Sequence, residues 1–266
     1  MAYVRARGAR FWVEDQGQGV AVVLSHSLFF DCEMFAAQAE ALAGRYRVIR
    51  YDHRGQGRSD AAPRAALTIP EVAADAAALI EALEVGPCHF VGNSMGGFVA
   101  LHLAVARPDL LLTATVLGSS GEAEGKLAAF APLVDAMAEG IAPHIDTVMY
   151  IMFGDTFLGD PARAAQRAHW RAKIGALPSR IADAAHGVIH RPGILELLAG
   201  TRVPVLAVAG AEDHAYSIAN TEAVSRAAGG RAAVVPRAGH SVALEEPDAV
   251  NALLAAHFAQ AERVAA

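Results

Sequence analysis

Residues 88–97 have the sequence Cys-His-Phe-Val-Gly-Asn-Ser-Met-Gly-Gly, and this stretch decides the fold. Its apolar first half predicts a buried strand, its Gly-x-Ser-x-Gly centre a sharp turn, and residues 95–106 a helix. Gly92 and Gly96 are needed because a Cβ atom at either position would crowd a strained turn. Such a turn places the Ser94 hydroxyl at a helix N-terminus, where backbone N–H groups favour a developing negative charge. The alternative is a glycine-rich turn whose serine merely caps the helix.

The rest of the chain alternates strand-like and helix-like segments. Short apolar runs typical of strands buried on both faces of a parallel sheet occupy residues 20–25, 47–51, 88–92, 111–117, 203–209 and 232–235. Residues 3–7 and 10–15 alternate in polarity, which predicts an antiparallel hairpin at one edge. Helices are predicted for residues 70–83, 95–106 and 249–261. Together these segments predict an α/β fold, a mostly parallel, twisted sheet with helices on both faces.

Residues 119–201 interrupt this alternation. They contain no convincing strand, only helical segments separated by Pro132, Pro143, Pro161, Pro178 and Pro192. Because an ordinary crossover is far shorter, we expect a helical insertion that covers one end of the sheet as a cap. The predicted organisation is a core domain formed by residues 1–118 and 202–266, with the cap at 119–201.

A serine hydroxyl needs a base to become nucleophilic, and a histidine oriented by a carboxylate is the usual solution. After a serine turn of this kind, the acid and the histidine follow in that order. Asp213 follows the strand predicted at 203–209, and His240 follows the next strand. The ends of parallel strands meet at one sheet edge, so we predict a catalytic triad of Ser94, Asp213 and His240. Glu212 competes for the acid role and ranks below Asp213. Taken singly, the aspartate and the histidine could be ordinary loop residues.

Composition and charge exclude several classes of protein. The 266 residues carry a formal net charge of −6 and no dense Lys/Arg run, which argues against a nucleic-acid partner. No apolar stretch reaches the ~18 residues that span a bilayer, and the N-terminus lacks the apolar region of a signal peptide, so a cytoplasmic protein without a membrane partner is expected. Cys32 and Cys88 lack the spacing of a metal or redox site. His186 and His190 have the spacing of a helical metal pair but no evident third ligand, so neither a metal nor a cofactor is predicted.

With these motifs, the chain resembles the α/β-hydrolase superfamily over nearly its whole length. Residues 52–59, Asp-His-Arg-Gly-Gln-Gly-Arg-Ser, are similar to a structural turn of that family that braces the oxyanion loop. Residues 25–28, Ser-His-Ser-Leu, resemble the loop itself, which implies an oxyanion hole made by the backbone N–H groups of Leu28 and Met95. The nearest similarity is to 3-oxoadipate enol-lactone hydrolases and related small carboxylesterases. Two departures stand out: most members have Gly where Ser27 stands, and enol-lactone hydrolases usually have Gly where Phe29 stands.

The predicted function is hydrolysis of a carboxylic ester or lactone through an acyl-serine intermediate, with a small molecule as the substrate. Carbon–carbon bond hydrolysis or peracid formation by the same triad is an alternative, as is a ligand receptor with this fold. Dehalogenases and epoxide hydrolases of this fold need Asp where Ser94 stands, which disfavours both. We expect an apolar pocket that favours uncharged esters and whose lining includes Phe29, Phe30, Asn93, Phe153 and Trp170. The sequence leaves the oligomeric state open.

Overall fold

The computed structural model describes residues 1–265 and contains an eight-stranded sheet. Its strands are β1 (Ala2–Ala6), β2 (Ala9–Gln16), β3 (Ala21–Ser25), β4 (Arg47–Tyr51), β5 (Cys88–Asn93), β6 (Leu111–Leu117), β7 (Val205–Gly210) and β8 (Arg231–Val235). Their order across the sheet is β1-β2-β4-β3-β5-β6-β7-β8. The β1–β2 and β2–β4 pairs are antiparallel, and the remaining pairs are parallel. The predicted α/β fold with its edge hairpin is confirmed.

Helices cover both faces of this sheet. They are α1 (Ala36–Leu42), α2 (Ile69–Ala82), α3 (Met95–Ala106), α4 (Leu127–Met137), α5 (Ile145–Met152), α6 (Asp155–Gly159), α7 (Ala164–Gly175), α8 (Ile181–Ile189), α9 (Leu195–Leu198), α10 (Ile218–Ala228), α11 (Val242–Glu245) and α12 (Pro247–Ala265). Successive side chains of a strand point to opposite faces, so Val48 of β4 joins one apolar core and Ile49 the other. The first core packs α1 and α12 against the sheet, and the second packs α2, α3 and α10.

The last strand differs from its prediction as a strand buried on both faces. In β8 only Val235 is fully buried, and Val234 is 44% exposed. The reason is its place in the sheet, because β8 pairs with β7 alone and forms the edge. Short apolar runs therefore locate strands well, but they do not distinguish a central strand from an edge strand.

The segment between β6 and β7 is helical, as expected. It contains α4 to α9, and none of residues 118–204 lies in a strand. We call residues 119–201 the insertion. Within it α4 packs against α8 and α5 against α7, whereas α9 packs against α10 and α3. Lys173 of α7 links the insertion to the segment between β3 and α1, since its ammonium lies 2.6 Å from carboxylate oxygens of both Asp31 and Glu33. The division into core and cap domains at these boundaries stays a prediction.

Within the described residues, no helix combines the length and the apolar character that crossing a membrane requires.

Candidate active site

Ser94 lies between β5 and α3 in a strained turn. Its φ of 51° with a ψ of −111° is rare for a residue with a side chain, at a cost of roughly 1–3 kcal/mol. A Cβ atom on Gly92 would overlap the carbonyl of Gly96, and one on Gly96 would overlap the carbonyl of Ser25. Both positions therefore require glycine. The Ser94 side chain makes no capping hydrogen bond to α3, so the alternative of a simple helix cap does not describe this turn.

The structure brings Ser94, His240 and Asp213 together in one hydrogen-bonded chain. They follow the carboxyl ends of β5, β8 and β7, respectively. His240 Nε2 is 2.7 Å from Ser94 Oγ, and His240 Nδ1 is 3.0 Å from Asp213 Oδ2 and 3.1 Å from Oδ1. An ionised carboxylate can only accept a hydrogen bond, so Nδ1 carries the hydrogen and Nε2 is left to accept the Ser94 proton. This arrangement can activate a serine hydroxyl as a nucleophile.

Glu212, the competing acid, points elsewhere. Its carboxylate accepts hydrogen bonds from the backbone N–H of Thr156, at 2.7 Å, and from the Thr156 hydroxyl, at 2.6 Å. Asp213, in contrast, receives His240 and also the backbone N–H groups of Ala215 and Tyr216, at 2.7 and 2.9 Å from Oδ1. The geometry therefore favours Asp213 as the partner of the imidazole and leaves Glu212 as a tie to the insertion.

The two amides predicted to form the oxyanion hole belong to residues near Ser94. Leu28 borders the same cavity as Ser94 and His240, and Met95 is the first residue of α3. Among residues 1–265, neither backbone N–H donates to a protein acceptor. Unpaired N–H groups beside a nucleophile can stabilise the negative oxygen that forms when a carbonyl is attacked. The role of these two amides stays a prediction.

The turn at residues 52–59 braces this oxyanion loop. Asp52, fully buried, accepts hydrogen bonds from the backbone N–H groups of Cys32 and Arg58, at 2.9 and 2.8 Å. The His53 N–H donates to Nε2 of His26, whose Nδ1 binds the carbonyl of Ser27 at 2.8 Å. Burial lowers the pKa of the His26 imidazole, which favours the neutral ring that this pattern requires.

A sequence profile described as the alpha/beta hydrolase family matches residues 22–253. The chain belongs to the α/β-hydrolase family. Relatives named as esterases and enol-lactonases are among those it matches, and the chain is an enzyme of the hydrolase class. A 3-oxoadipate enol-lactonase from Acinetobacter baylyi is 30% identical over 204 residues, which is 76% of this chain and 74% of the relative. The "Putative carbamate hydrolase RutD" of Azorhizobium caulinodans is 35% identical over 129 residues, and the match spans about half of each chain, 48%. Among solved structures, a thermophilic esterase from Thermogutta terrifontis superimposes with a TM-score of 0.89 at 25% identity, over 98% of both chains.

In this α/β-hydrolase a narrow cavity of about 70 Å³ reaches Ser94 and His240. Most of its wall is supplied by apolar side chains of α4, α5 and α8, among them Val134, Met137, Met152, Val188 and Ile189. Enzyme pockets that enclose drug-sized ligands are typically about 300–1,000 Å³, so this cavity has room for only a small group while the insertion stays in place.

Of the aromatic rings predicted to line the pocket, Phe29 alone does so. Its backbone has φ 73°, the left-handed conformation that glycine adopts most easily, at the position where enol-lactone hydrolases usually have Gly. The other three rings do not border this cavity and pack on one another instead. Phe30 lies edge-on to Phe153 with ring centroids 6.0 Å apart, and 4.9 Å from Trp170. These three rings pack the insertion against the rest of the protein, where each large ring removes much apolar surface from water.

Asn93, also predicted in the pocket, is fully buried and does not border the cavity. Its side-chain N–H donates to the carbonyl of His240, at 2.9 Å. Asn93 is the last residue of β5, and its side chain points towards the histidine loop. Asn93 therefore holds the loop that carries the imidazole.

One end of the cavity is polar, which the sequence did not indicate. Glu124 borders the cavity and accepts hydrogen bonds from the Arg191 guanidinium, at 3.0 Å, and from the Tyr216 hydroxyl, at 2.9 Å. The Glu124 and Arg191 side chains are each only 2% exposed. Burial by itself would raise the pKa of Glu124, but the N–H of Lys126 and the Arg191 pair outweigh it, and the pKa is lowered. A buried, paired carboxylate thus borders a cavity whose wall is mostly apolar.

The two histidines of the insertion that are four residues apart contact each other. His186 and His190 stack with ring centroids 3.9 Å apart. Nowhere in residues 1–265 do three or more His, Cys, Asp or Glu side chains group as metal ligands would.

Proposed function

We propose that this α/β-hydrolase cleaves a carboxylic ester or lactone through an acyl intermediate on Ser94. The observation that carries the proposal is the continuous chain from Ser94 Oγ through the His240 ring to Asp213, with links of 2.7 and 3.0 Å. The names of the enol-lactonase and esterase relatives support an ester or lactone carbonyl as the target.

In the first half-reaction His240 Nε2 takes the Ser94 proton as Oγ attacks the substrate carbonyl. The negative oxygen of the tetrahedral intermediate accepts hydrogen bonds from the Leu28 and Met95 N–H groups, each typically worth a few kcal/mol. Asp213 stabilises the imidazolium that has formed. His240 then gives its proton to the leaving alkoxide, the carbon–oxygen bond of the ester breaks, and an alcohol departs from the acyl-enzyme.

In the second half-reaction His240 removes a proton from water, and the resulting hydroxide attacks the acyl carbonyl. The same two amides hold the second oxyanion. Collapse of this intermediate breaks the bond to Ser94 Oγ, which recovers its proton from His240, and a carboxylic acid leaves. A lactone follows the same steps, with the alcohol and the acid in one product.

The lining of the cavity favours small, uncharged acyl groups. Its walls are mostly apolar, and the charge of its buried acidic residue, Glu124, is balanced by the Arg191 guanidinium. A carboxylate would also lose its water shell in the cavity, whose lining, within residues 1–265, includes no Lys or Arg side chain. We therefore propose neutral esters or lactones with a short acyl chain as the substrate class.

A labelling experiment separates this proposal from its alternatives. A fluorophosphonate probe should react with the wild-type protein and not with Ser94→Ala, which should remain folded and lose nearly all ester turnover, ~10⁶-fold for a triad that acts as a unit. Labelling without turnover of any ester or lactone would instead indicate a receptor or a different acyl reaction.

For the substrate class, kcat/KM is compared for a short neutral ester and its carboxylate-bearing analogue. A preference of ~tenfold for the charged ester, about 1.4 kcal/mol, would contradict the uncharged substrate class.

A further inference from the structure

Glu245, the last residue of α11, is a buried carboxylate that the reaction scheme does not use. It is fully buried, and its oxygens accept three backbone hydrogen bonds. Oε2 binds the N–H groups of Gly154 and Gly239, both at 2.9 Å, and Oε1 binds the N–H of Ser241 at 3.0 Å. Arg163 reaches the Glu245 backbone carbonyl and not its carboxylate. A buried charge of this kind is tolerated only because these donors replace its water shell.

The three donors belong to two different parts of the molecule. Gly239 and Ser241 flank His240, whereas Gly154 lies in the insertion between α5 and α6. The backbones of Gly154 and Gly239 touch so closely that a Cβ atom on Gly239 would overlap the Gly154 N–H. The Ser241 hydroxyl adds a second link, donating to the carbonyl of Met152 at 2.7 Å. Met152 also borders the cavity next to Ser94.

We propose that Glu245 is a positioning residue for His240, and that its carboxylate fastens the base to the part of the insertion that borders the substrate cavity. The proposal rests on the proposed function, in which His240 is the general base. Glu245 accepts hydrogen bonds from the N–H groups of the residues before and after His240. The Asn93 side chain donates to the carbonyl of His240 itself. A displacement of about 1 Å in a catalytic group can cost ~10²-fold in rate, so loss of this clamp should affect kcat.

The charge of Glu245 is part of this clamp. Burial raises the pKa of Glu245 to about 7, against the opposing effect of the three N–H donors and of nearby His240. The other charged groups facing it are Arg163, on its carbonyl, and Glu212, whose carboxylate lies beside Gly154. Above pH 7 the ionised carboxylate accepts all three hydrogen bonds. Once protonated, one oxygen becomes a donor that faces N–H groups, and the clamp loses part of its geometry.

The test compares Glu245→Gln with the adjacent Glu246→Gln, whose carboxylate is partly exposed and pairs with Arg163. With a short neutral p-nitrophenyl ester at about pH 8.5, Glu245→Gln should lower kcat by ~30- to 100-fold with KM within about threefold, and Glu246→Gln should change kcat less than about twofold. The ratio of wild-type to Glu245→Gln kcat should shrink as the pH falls below 7, because protonated Glu and Gln offer similar hydrogen-bonding groups.

A folded Glu245→Gln protein with kcat within about twofold of the wild type would overturn the proposal, and so would a ratio that stays constant with pH. If Glu245→Gln does not fold, Gly154→Ala tests the same contact, since its Cβ would lie 2.8 Å from the Gly239 nitrogen and push the insertion away from the histidine loop. An unchanged kcat in folded Gly154→Ala would refute the coupling. These outcomes differ from failure of the proposed function, in which the wild-type protein itself would neither react with fluorophosphonate nor hydrolyse the ester.

Discussion

Replacement of Asp213 by Asn should lower kcat by ~10⁴, equivalent to about 5.5 kcal/mol of transition-state stabilisation. The structure determines which way the new amide points. Asp213 Oδ1 accepts the N–H groups of Ala215 and Tyr216, so the amide oxygen must occupy that position. The amide NH₂ then takes the place of Oδ2, 3.0 Å from His240 Nδ1. Only the amide oxygen, at the Oδ1 position 3.1 Å from Nδ1, is left to accept from the ring, so the tautomer with its hydrogen on Nε2 is favoured, and in that tautomer the ring cannot take the proton of Ser94.

The control is Glu212→Gln, one residue earlier in the chain. It weakens the hydrogen bonds to Thr156 and should reduce stability slightly, with kcat within about threefold of the wild type. Both variants are assayed for kcat and kcat/KM on a neutral p-nitrophenyl ester after their folding has been checked by circular dichroism and thermal unfolding. If Asp213→Asn kept more than about one tenth of the wild-type kcat, or if Glu212→Gln were the more damaged enzyme, the assignment of the acid would be refuted.

Three further predictions concern the braced loop, the cavity and metals. Asp52→Asn should lower the free energy of unfolding by about 2–3 kcal/mol, measured by urea denaturation, because Asp52 binds Arg58 and two backbone N–H groups. Burial by itself would raise the pKa of Asp52, but its hydrogen bonds with Arg58 outweigh burial, and the pKa is lowered. The stability that Asp52 contributes is therefore present above about pH 4 and is lost as the pH falls through the lowered pKa. A difference in unfolding free energy that did not change with pH would contradict this reasoning. Phe29→Gly should raise kcat/KM for a benzoyl ester relative to an acetyl ester by ~tenfold, whereas Phe30→Ala should leave that ratio unchanged. Ester turnover should survive EDTA, and a loss reversed by added Zn²⁺ would argue for a metal in the reaction.

The parts of the site that follow from local patterns could be predicted from the sequence. The serine turn requires glycine at positions 92 and 96 through close backbone contacts, so the motif itself carries the geometry. Asp213 and His240 each come directly after an apolar run, and the parallel sheet brings those strand ends to one edge. Both signals span fewer than about ten residues, the range over which strand and turn patterns can be recognised.

The parts that depend on packing between distant segments could not be predicted in this way. Apolar residues of the insertion show the same periodicity whether they fill a core or border a cavity, and the rings of Phe30, Phe153 and Trp170 fill the core. Glu245 stands two residues before Pro247, where an acidic residue ordinarily marks the start of a helix. Its actual partners include Gly154, 91 residues away in the chain. The left-handed φ of Phe29 could not be predicted from the neighbouring residues either, since none of them requires it.

The contacts of the insertion bear on which substrates can reach Ser94. Several ties hold it to the rest of the chain, among them Lys173 to Asp31 and Glu33, Thr156 to Glu212, and Gly154 to Glu245. If a substrate larger than the cavity required some of these contacts to break, its apparent dissociation constant would be the intrinsic constant divided by the fraction of protein in which they are broken. The Lys173 tie is partly exposed and weakens with ionic strength, whereas the two ties to backbone N–H groups are far less sensitive to salt. In that case the preference for small over bulky substrates, measured as a ratio of kcat/KM values, would decrease as the salt concentration rises.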